Sequence, residues 1–435
     1  MSRSISKTLR LSVAAIALFV VWECGISASS ALAQTPAAPP ADTTPAAPGT
    51  EAPAAPAAPT SPLTAPSMAG PLALSTTPYN FDAAGLGHVY VSGVLSGLGL
   101  FQDNSTSVFA PTSGKFLGLD KDNNFDISNG MAVVQKIDGL VQFYVQTGVY
   151  SLPALGVNYH DTQRASEATK LYFGPVPEAY LKVAPTDNFS IEAGNLPSLI
   201  GDEYTFTFEN MNIERGLLWN LEPAISRGVQ ANYTAGPVAF ALSGNDGFFS
   251  SDLSWMTGSA TWTINPQNTL ALAVGGNLDT SKVNSFAAPF QLDNSDVVNL
   301  IYTYNNAPWT VSPYFQYTHN KHSTVYNPGT TKDADTWGGA VLATYNINDN
   351  WNLSGRIEYV GSSGSSTDGT VNVLFGPGSS AWSFTVTPTW QMGIWFARLE
   401  GSYVTASSVN SGDGFGKFGT ASDQARLVIE GGVAF

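Results

Sequence analysis

Charge is scarce in this 435-residue sequence: only 12% of its residues are Asp, Glu, Lys or Arg. A soluble globular protein carries about 25%, so much of this surface is built for something other than water. Basic residues are scarcer still, 18 Lys and Arg against 33 Asp and Glu, for a formal net charge of −15. Without a basic excess nothing neutralises phosphates, which argues against nucleic acid as a partner. Cysteine occurs once, at Cys24. No apolar run reaches the about 18 residues that a membrane helix needs, so helical spans are excluded. Aromatics are plentiful, with 10 Trp, 17 Tyr and 23 Phe, and that excludes disorder of the whole chain. A chain short of charge, rich in aromatics and free of membrane helices points to a β-barrel in a lipid bilayer.

The N-terminus carries an export signature. Arg3, Lys7 and Arg10 form a positive region, Leu11 to Trp22 an apolar one, and Ala31-Leu32-Ala33 a small-residue cleavage site before Gln34. Residues 1–33 are therefore expected to leave as a signal peptide, taking Cys24 with them. Glu23 stands where a lipoprotein signal needs a small residue. Removal of Arg3, Lys7, Arg10 and Glu23, a net +2, takes the charge from −15 to −17. The mature chain then has no thiol for a disulfide, a metal or a nucleophile. Residues 34–78 hold 12 Pro and 13 Ala. Such a stretch cannot bury enough surface to fold and favours extended polyproline II. The expected organisation is a signal peptide over 1–33, a Pro/Ala-rich periplasmic linker over 34–85 and a transmembrane β-barrel over 86–435.

From residue 86 onward, segments of about ten residues alternate apolar and polar side chains, the period-2 pattern of a strand with two different faces. Val141, Phe143, Val145, Thr147 and Val149 share one face, Gln142, Tyr144, Gln146 and Gly148 the other. The pattern predicts sixteen strands, near 88–101, 126–137, 140–150, 177–184, 189–196, 226–235, 237–245, 254–264, 268–278, 295–305, 308–318, 335–346, 351–360, 380–390, 394–404 and 424–435. Short turns such as Asp138-Gly139 and Ala235-Gly236 alternate strictly with longer polar connections. Short turns on one side and long loops on the other are the pattern of an outer-membrane barrel, with both chain ends on the periplasmic side. A soluble β-sandwich also alternates, but this length would need several domains, and no linker interrupts 86–435. Aromatics near strand ends, at Trp255 and Trp262, Trp309 and Tyr317, Trp337 and Tyr345, Trp351 and Tyr359, Trp395 and Tyr403, suit two interfacial girdles. Leu427, Ile429, Gly431, Val433 and Phe435 alternate to the last residue. A terminal aromatic in that setting resembles the assembly signal of outer-membrane barrels, so Phe435 is assigned that role.

A family resemblance rests on residues 177–235: Ala179 to Pro185, Ile191 to Glu203, Asn212 to Leu217 and Ser226 to Val229. These runs resemble the OmpL-like family of β-barrel porins of Gram-negative bacteria, and the resemblance covers most of 86–435. It implies a diffusion channel. The acid-rich Asp202-Glu203 and Glu209 to Glu222 stretches and the long Pro/Ala segment are departures that leave solute preference and anchoring open.

A pore also follows from the residues themselves. Sixteen tilted strands enclose an aqueous channel, whereas eight are filled by their own side chains. If the apolar parity faces lipid, the other parity faces the bore. It carries Glu178, Lys182, Glu192, Arg356, Glu358, Arg398, Glu400, Arg426 and Glu430, the expected pore-lining set. Arg356, Arg398 and Arg426 with Glu358, Glu400 and Glu430 gather on one arc, either as a transverse field that tunes ion preference or as a ladder of salt bridges that stiffens the wall. The longest connection, Pro197 to Ala224, carries Asp202, Glu203, Glu209, Glu214 and Glu222 against Arg215 alone, with Phe206, Phe208, Met211, Leu217, Leu218 and Trp219. An external loop has little use for so many apolar residues. We expect a constriction loop folded inward, its apolar side on the wall and its acids toward the lumen; an external cap is the alternative. The acidic excess predicts a modest cation preference.

Other chemistry fails on inspection. Asp120, Asp122, Asn124 and Asp126 resemble a calcium loop, but Phe125 replaces the needed Gly and Met131 the bidentate Glu. His319 and His322 lack a third ligand in the sequence, and no Ser/His/acid set shares a face. The expected protein is an outer-membrane porin passing small hydrophilic solutes passively, not an enzyme, with no metal or cofactor. Outer-membrane lipid and lipopolysaccharide would surround it and the barrel assembly machinery would recognise its last strand; a homotrimer and a monomer both stay open. Two competitors remain: a substrate-specific channel, for sugars for instance, with Tyr144, Tyr180 and Phe396 as a sliding track, and a non-conducting adhesin or structural barrel.

Overall fold

The computed structural model describes residues 72–73, 79–85, 87–105, 107–110, 115–119, 121–159, 163–325 and 327–435. The expected signal peptide and most of the Pro/Ala stretch lie outside these residues. Among the described residues the chain forms β1 (Tyr79–Ala83), β2 (Gly87–Gln102), β3 (Ser107–Ala110), β4 (Lys115–Leu119), β5 (Asn123–Lys136), β6 (Val141–Tyr150), β7 (Glu178–Thr186), β8 (Phe189–Pro197), β9 (Ile225–Ala235) and β10 (Val238–Asn245). It continues through β11 (Trp255–Asn265), β12 (Asn268–Asn277), β13 (Ser295–Asn306), β14 (Trp309–Asn320), β15 (Ala334–Asn348), β16 (Trp351–Ser362), β17 (Ser380–Met392), β18 (Trp395–Ser407) and β19 (Asp423–Ala434).

Sixteen of these strands, β2 and β5 through β19, form a closed antiparallel barrel. Each pairs with the next, β2 with β5 directly, and β19 closes the ring on β2 from Arg426↔Gln102 to Ala434↔Val94. Closure leaves no open edge, as hydrocarbon requires of any backbone crossing it. The sixteen strands are those that the alternation predicts. Their parity is the expected one: along β13 and β14, Leu300 and Phe315 are 46% and 48% exposed on the outer face, while Asn299 and Gln316, their chain neighbours, are buried.

Three strands were not legible. β3 and β4 pair with each other as a small ribbon within the connection from β2 to β5. β1 falls in the stretch that composition assigned to the linker, yet it pairs with β2 from Tyr79↔Val91 to Ala83↔Gly87, extending the edge that β19 occupies farther along. Leu72 packs against the cluster that includes Phe396, and the Ala73 backbone exchanges hydrogen bonds with the Gln391 side chain at 2.9 and 2.7 Å.

The short turns all lie at the end where β1 ends and β2 begins. Gly139 and Gly236 adopt φ of 74° and 57° there, a left-handed conformation that side chains disfavour and tight hairpins need. Long connections occupy the other end. Trp309 against Tyr345, with ring centroids 4.7 Å apart, and Tyr359 against Trp382, at 5.0 Å, sit outward toward opposite ends of the barrel. Trp255 corrects one expectation. It is only 2% exposed, points inward, packs edge-on to Phe248 at 5.6 Å and donates its indole N–H to Asp293 O at 2.8 Å. It belongs to the packing beneath the long connections, because its place in β11 has inward parity.

Candidate functional site

Residues 198–224 join β8 to β9, and this connection lies inside the barrel, against the arc formed by β14 through β19, β2 and β5. Its seat is polar. Glu358 and Glu400 project inward from β16 and β18. Glu358 accepts the backbone N–H groups of Leu217 and Leu218 at 2.7 and 2.8 Å. Glu400 accepts those of Ile213 and Glu214, the latter at 2.9 Å. Glu430, on β19, accepts the Thr207 hydroxyl at 2.8 Å.

The wall arginines serve the opposite role. Arg398 donates to the carbonyls of Thr207, Asn210 and Met211 at 2.8, 2.9 and 3.0 Å. Arg356 donates to Glu214 O at 2.9 Å and pairs with the Glu203 carboxylate. Arg426 meets Glu214 Oε1 at 2.8 Å and also donates to Ala154 O and Val157 O at 2.8 and 2.6 Å. A segment with so little regular structure has many backbone groups to satisfy once it leaves water. Wall carboxylates take its N–H groups and wall guanidiniums its carbonyls, so alternating charge on one arc matches a polypeptide backbone laid across it.

Apolar contacts complete the seat. Leu217 and Leu218 pack with Ala271, Tyr314, Leu342 and Val360. Phe206 and Phe208 pack with Tyr150 and Phe396. The connection 151–177 tucks in as well: Ala154 and Arg215 form a parallel bridge, with Leu155 N donating to Arg215 O at 2.9 Å and Arg215 N to Pro153 O at 3.1 Å. Nothing in the sequence singled out 151–159. Asp126, part of the discarded calcium-like run, anchors this second connection by accepting Ala165 N at 2.9 Å.

The structure groups the sequence-predicted residues unevenly. Arg356, Glu358, Arg398, Glu400, Arg426 and Glu430 are all buried under the loop, not spread along an open bore. Lys182 and Glu192 pair at 3.2 Å across β7 and β8. On the loop, Glu203 accepts Gly216 N at 2.8 Å, and Glu209 accepts Phe206 N at 3.2 Å. The acids do not face open water as expected: Asp202, Glu203, Glu214 and Glu222 are buried, Glu203 and Glu214 because the loop lies close enough to the wall for them to meet Arg356 and Arg426. Arg215 is fully buried, with no hydrogen bond to its guanidinium, which stands 5.2 Å from the Trp219 ring. Tyr144 and Tyr180 stack on each other at 5.5 Å in a buried cluster with Val133 and Leu196.

Four spaces lie along the path past the loop. The outer cavity, about 280 Å³, is bounded by the long connections and floored by Leu217, Trp219 and Glu222. A neck of about 20 Å³ follows, lined by Glu178, Asp202, Glu203 and Glu222 with Trp219, room for about one water. Asp202 also lines a space of about 190 Å³ beyond the neck. A cavity of about 860 Å³ opens at the short-turn end, with Gln142, Lys182, Ser190 and Asn232 on its wall. Asp202 and Glu222 sit on the loop, outside the membrane-spanning strands. Burial, opposed by the Ser312 hydroxyl and aided by Glu203, pushes the Asp202 carboxyl up to about 7. Burial, then the charges of Glu203 and Asp202, raises Glu222 well above the usual carboxylate range.

At the extracellular end His319 and His322 meet two acids: His319 Nδ1 lies 2.9 Å from Asp335, and His322 Nδ1 2.7 Å from Asp333. Among the described residues no group of three or more His, Cys, Asp or Glu is placed to hold a metal ion.

Solved structures of similar fold are outer-membrane proteins, channels and porins among them. The channel DcaP of Acinetobacter baumannii matches over 82% of this chain and 99% of its own, at 11% identity and a TM-score of 0.51. A loop L8 deletion mutant of the Vibrio cholerae outer-membrane protein OmpT matches over 80% and 99%, at 14% identity and a TM-score of 0.50. An anion-selective porin from Comamonas acidovorans matches over 80% and 99%, at 10% identity and a TM-score of 0.50. At such identities the likeness establishes the fold alone. No curated protein matches the sequence significantly. The family model described as putative beta-barrel porin-2, OmpL-like, matches residues 88–435, so this chain belongs to that family of outer-membrane porins.

Proposed function

We propose that the protein is a passive channel for small hydrophilic solutes, with residues 198–224 as its constriction and a preference for cations. The observation that carries the proposal is the neck, where Glu178, Asp202, Glu203 and Glu222 converge without a basic residue on the lining. Carboxylates around a narrow aqueous passage lower the energy of a cation there and raise that of an anion. Arg356 compensates Glu203, leaving Glu178, Asp202 and Glu222 as the acids on the lining without an ion-pair partner among the described residues. Asp202, Glu203, Glu209, Glu214 and Arg215 act in this proposal as the constriction, the first two at the passage and Glu214 as an anchor. Glu178, Lys182 and Glu192 line the solute path, while the six charges on β16, β18 and β19 hold the loop.

In the same proposal residues 1–33 are cleaved on export, residues 34–78 tether the barrel on the periplasmic side, and lipid and lipopolysaccharide cover the outward apolar belt. The barrel assembly machinery recognises β19 and Phe435. Planar-bilayer recording tests the channel directly. Conductance steps with a reversal potential favouring potassium over chloride are expected; a reversal potential favouring chloride overturns the cation preference, and an absence of steps overturns the channel. Liposome swelling with neutral solutes of graded size should give rates ordered by size, whereas one outlying solute would favour a substrate-specific pore.

A further inference from the structure

The outer cavity has the chemistry of a binding site as well as that of a vestibule. Its wall is mostly apolar, with the aromatic rings of Tyr172, Trp219, Phe248, Phe286 and Phe375 among the lining residues and Gln163 and Asn220 as its neutral polar members. Among the described residues on that wall only one is charged: Glu222, at the floor, where the cavity meets the neck. Glu222 is 5% exposed and neither of its carboxylate oxygens has a hydrogen-bond partner. A Cβ built on Gly201 would run into this carboxylate, and Gly201 has φ of 91°, so a glycine makes the room for it. The neighbouring Asp202 also has a carboxylate oxygen, Oδ2, without a partner.

Burying an uncompensated carboxylate costs several kcal/mol or more in an apolar setting, and native proteins pair such groups or coordinate a cation with them. Four wall and loop acids conform: Glu214, Glu358, Glu400 and Glu430 each accept hydrogen bonds from arginine, backbone or hydroxyl donors. Glu178, Asp202, Glu209, Glu222 and Asp293 each keep at least one carboxylate oxygen without a partner, and of these Glu222 is the one on the lining of the outer cavity. A bare metal ion does not suit the place, since no group of three ligands is present among the described residues and the surroundings are apolar. A cavity of about 280 Å³ with mostly apolar walls and a few polar groups, here Gln163, Asn220 and the charged Glu222, is the usual form of a site for a small organic molecule.

From this geometry we propose that the outer cavity binds organic monocations, namely a primary ammonium or amidinium group carried on an aromatic or other apolar body. The body lies against Phe286, Phe248 and Trp219, and the cationic head reaches Glu222 at the entrance to the neck. The proposal rests on the channel reading for its transport role, but the binding itself does not depend on conductance. The negative charge of the whole chain, −15, favours encounter with a cation over an anion.

The test uses the full chain, purified in detergent, with benzylammonium, benzyl alcohol and benzoate as probes of one shape and three charges. Calorimetry should show benzylammonium binding at least about tenfold tighter than the other two, the discrimination expected of one desolvated ion pair. Glu222→Gln, checked for folding by heat-modifiable migration, should abolish that preference. Phe286→Ala, at a residue 55% exposed and therefore tolerant of truncation, should weaken benzylammonium several-fold. In bilayers, benzylammonium added from the loop side should interrupt the current of the wild-type channel, and benzoate should not. Equal binding of benzylammonium and benzyl alcohol overturns the proposal, because Glu222 would then simply hold a proton. Preference for benzoate, or unchanged selectivity in Glu222→Gln, overturns it as well. Charge-selective binding without conductance keeps the site and removes the channel; conductance without such binding does the reverse.

Discussion

Arg426, on the last strand of the barrel, places a guanidinium nitrogen 2.8 Å from the carboxylate of Glu214, on the loop that crosses the bore, and both side chains are shut away from solvent. The two residues are 212 positions apart in the chain, so the pair forms only after β19 has closed the barrel. Removing one partner of a buried pair leaves the other uncompensated, at a cost of about 3–5 kcal/mol. Glu214 also accepts the Ser402 hydroxyl at 2.9 Å, which cannot neutralise its charge. Arg426→Met is therefore expected to free the loop without opening the barrel. Hydrogen exchange should accelerate at the amides of Ile213, Glu214, Leu217 and Leu218 while strand amides stay protected. Uniform protection in the variant would show that the pair does not hold the loop.

The loop narrows the passage, so its removal should widen it. Deleting Asp202 to Trp219 takes Leu217 and Trp219 from the floor of the outer cavity and Asp202, Glu203, Tyr204, Thr205 and Trp219 from the neck, and uncovers Arg356, Arg398 and Arg426 together with Glu358, Glu400 and Glu430, which would then face the bore. Single-channel conductance should rise several-fold, and cation preference should fall because Asp202 and Glu203 leave the passage, while the three guanidiniums that are uncovered come with three glutamates, Arg356 beside Glu358 and Arg398 beside Glu430. Conductance and selectivity equal to those of the intact chain would contradict the constriction assigned to this loop.

The sequence made the faces legible but not their partners. Period-2 alternation located all sixteen barrel strands, since lipid outside and polar groups inside leave a residue such as Leu300 no choice of side. The same parity put Glu358 and Glu400 on the inner face. It could not say that loop backbone would cover them, because the donors lie 141 and 186 residues away from these acids. Apolar content hinted that 198–224 turns inward; 151–159 holds Leu152, Ala154, Leu155, Val157 and Tyr159 with no charge, a similar signal that went unnoticed because the stretch is short and follows directly on an alternating strand. Trp255 shows the converse error: closeness to a strand end suggests an interfacial ring, but parity decides, and its parity is inward.

Selectivity should depend on pH near neutrality. Asp202 is pushed up to about 7, so its carboxyl is mostly charged at pH 8 and mostly protonated at pH 6. The neck loses the charge of Asp202 as pH falls through this window. Reversal potentials should therefore show cation preference decreasing from pH 8 to pH 6. Asp202→Asn should lower the preference at pH 8 and flatten the profile. Selectivity that holds constant across the window in the wild type would remove Asp202 from the passage.

Closure of the barrel rests on a tight crossing near its short-turn end. Phe435 N donates to Gly93 O at 2.9 Å and Gly93 N to Phe435 O at 2.8 Å. A Cβ on Gly93 would stand 2.8 Å from Met131 O and 2.9 Å from Phe435 Cζ, both closer than carbon tolerates. The backbone contact cannot yield without breaking the ladder, so Gly93→Ala is expected to cost about 1–3 kcal/mol, as overpacking does. The check is the folded fraction after refolding into detergent, read as heat-modifiable migration in a gel. A yield equal to the wild type would mean that β2 shifts freely.

The lipid-facing belt can be probed at Leu300, which lies near the middle of β13 and is 46% exposed on the outer face. An arginine there would carry its charge into the hydrocarbon, at about 2–4 kcal/mol near the midplane. Its neighbour Asn299 faces inward and donates to Gln316 Oε1 at 2.7 Å, so Asn299→Ser exchanges one polar group for another on the wet side. Equilibrium unfolding in lipid vesicles should show Leu300→Arg destabilised by that amount and Asn299→Ser by about 1 kcal/mol, the worth of one hydrogen bond. Equal losses at both positions would mean that the outer face of β13 is covered by protein rather than lipid, and would direct attention to a subunit contact on that side of the barrel.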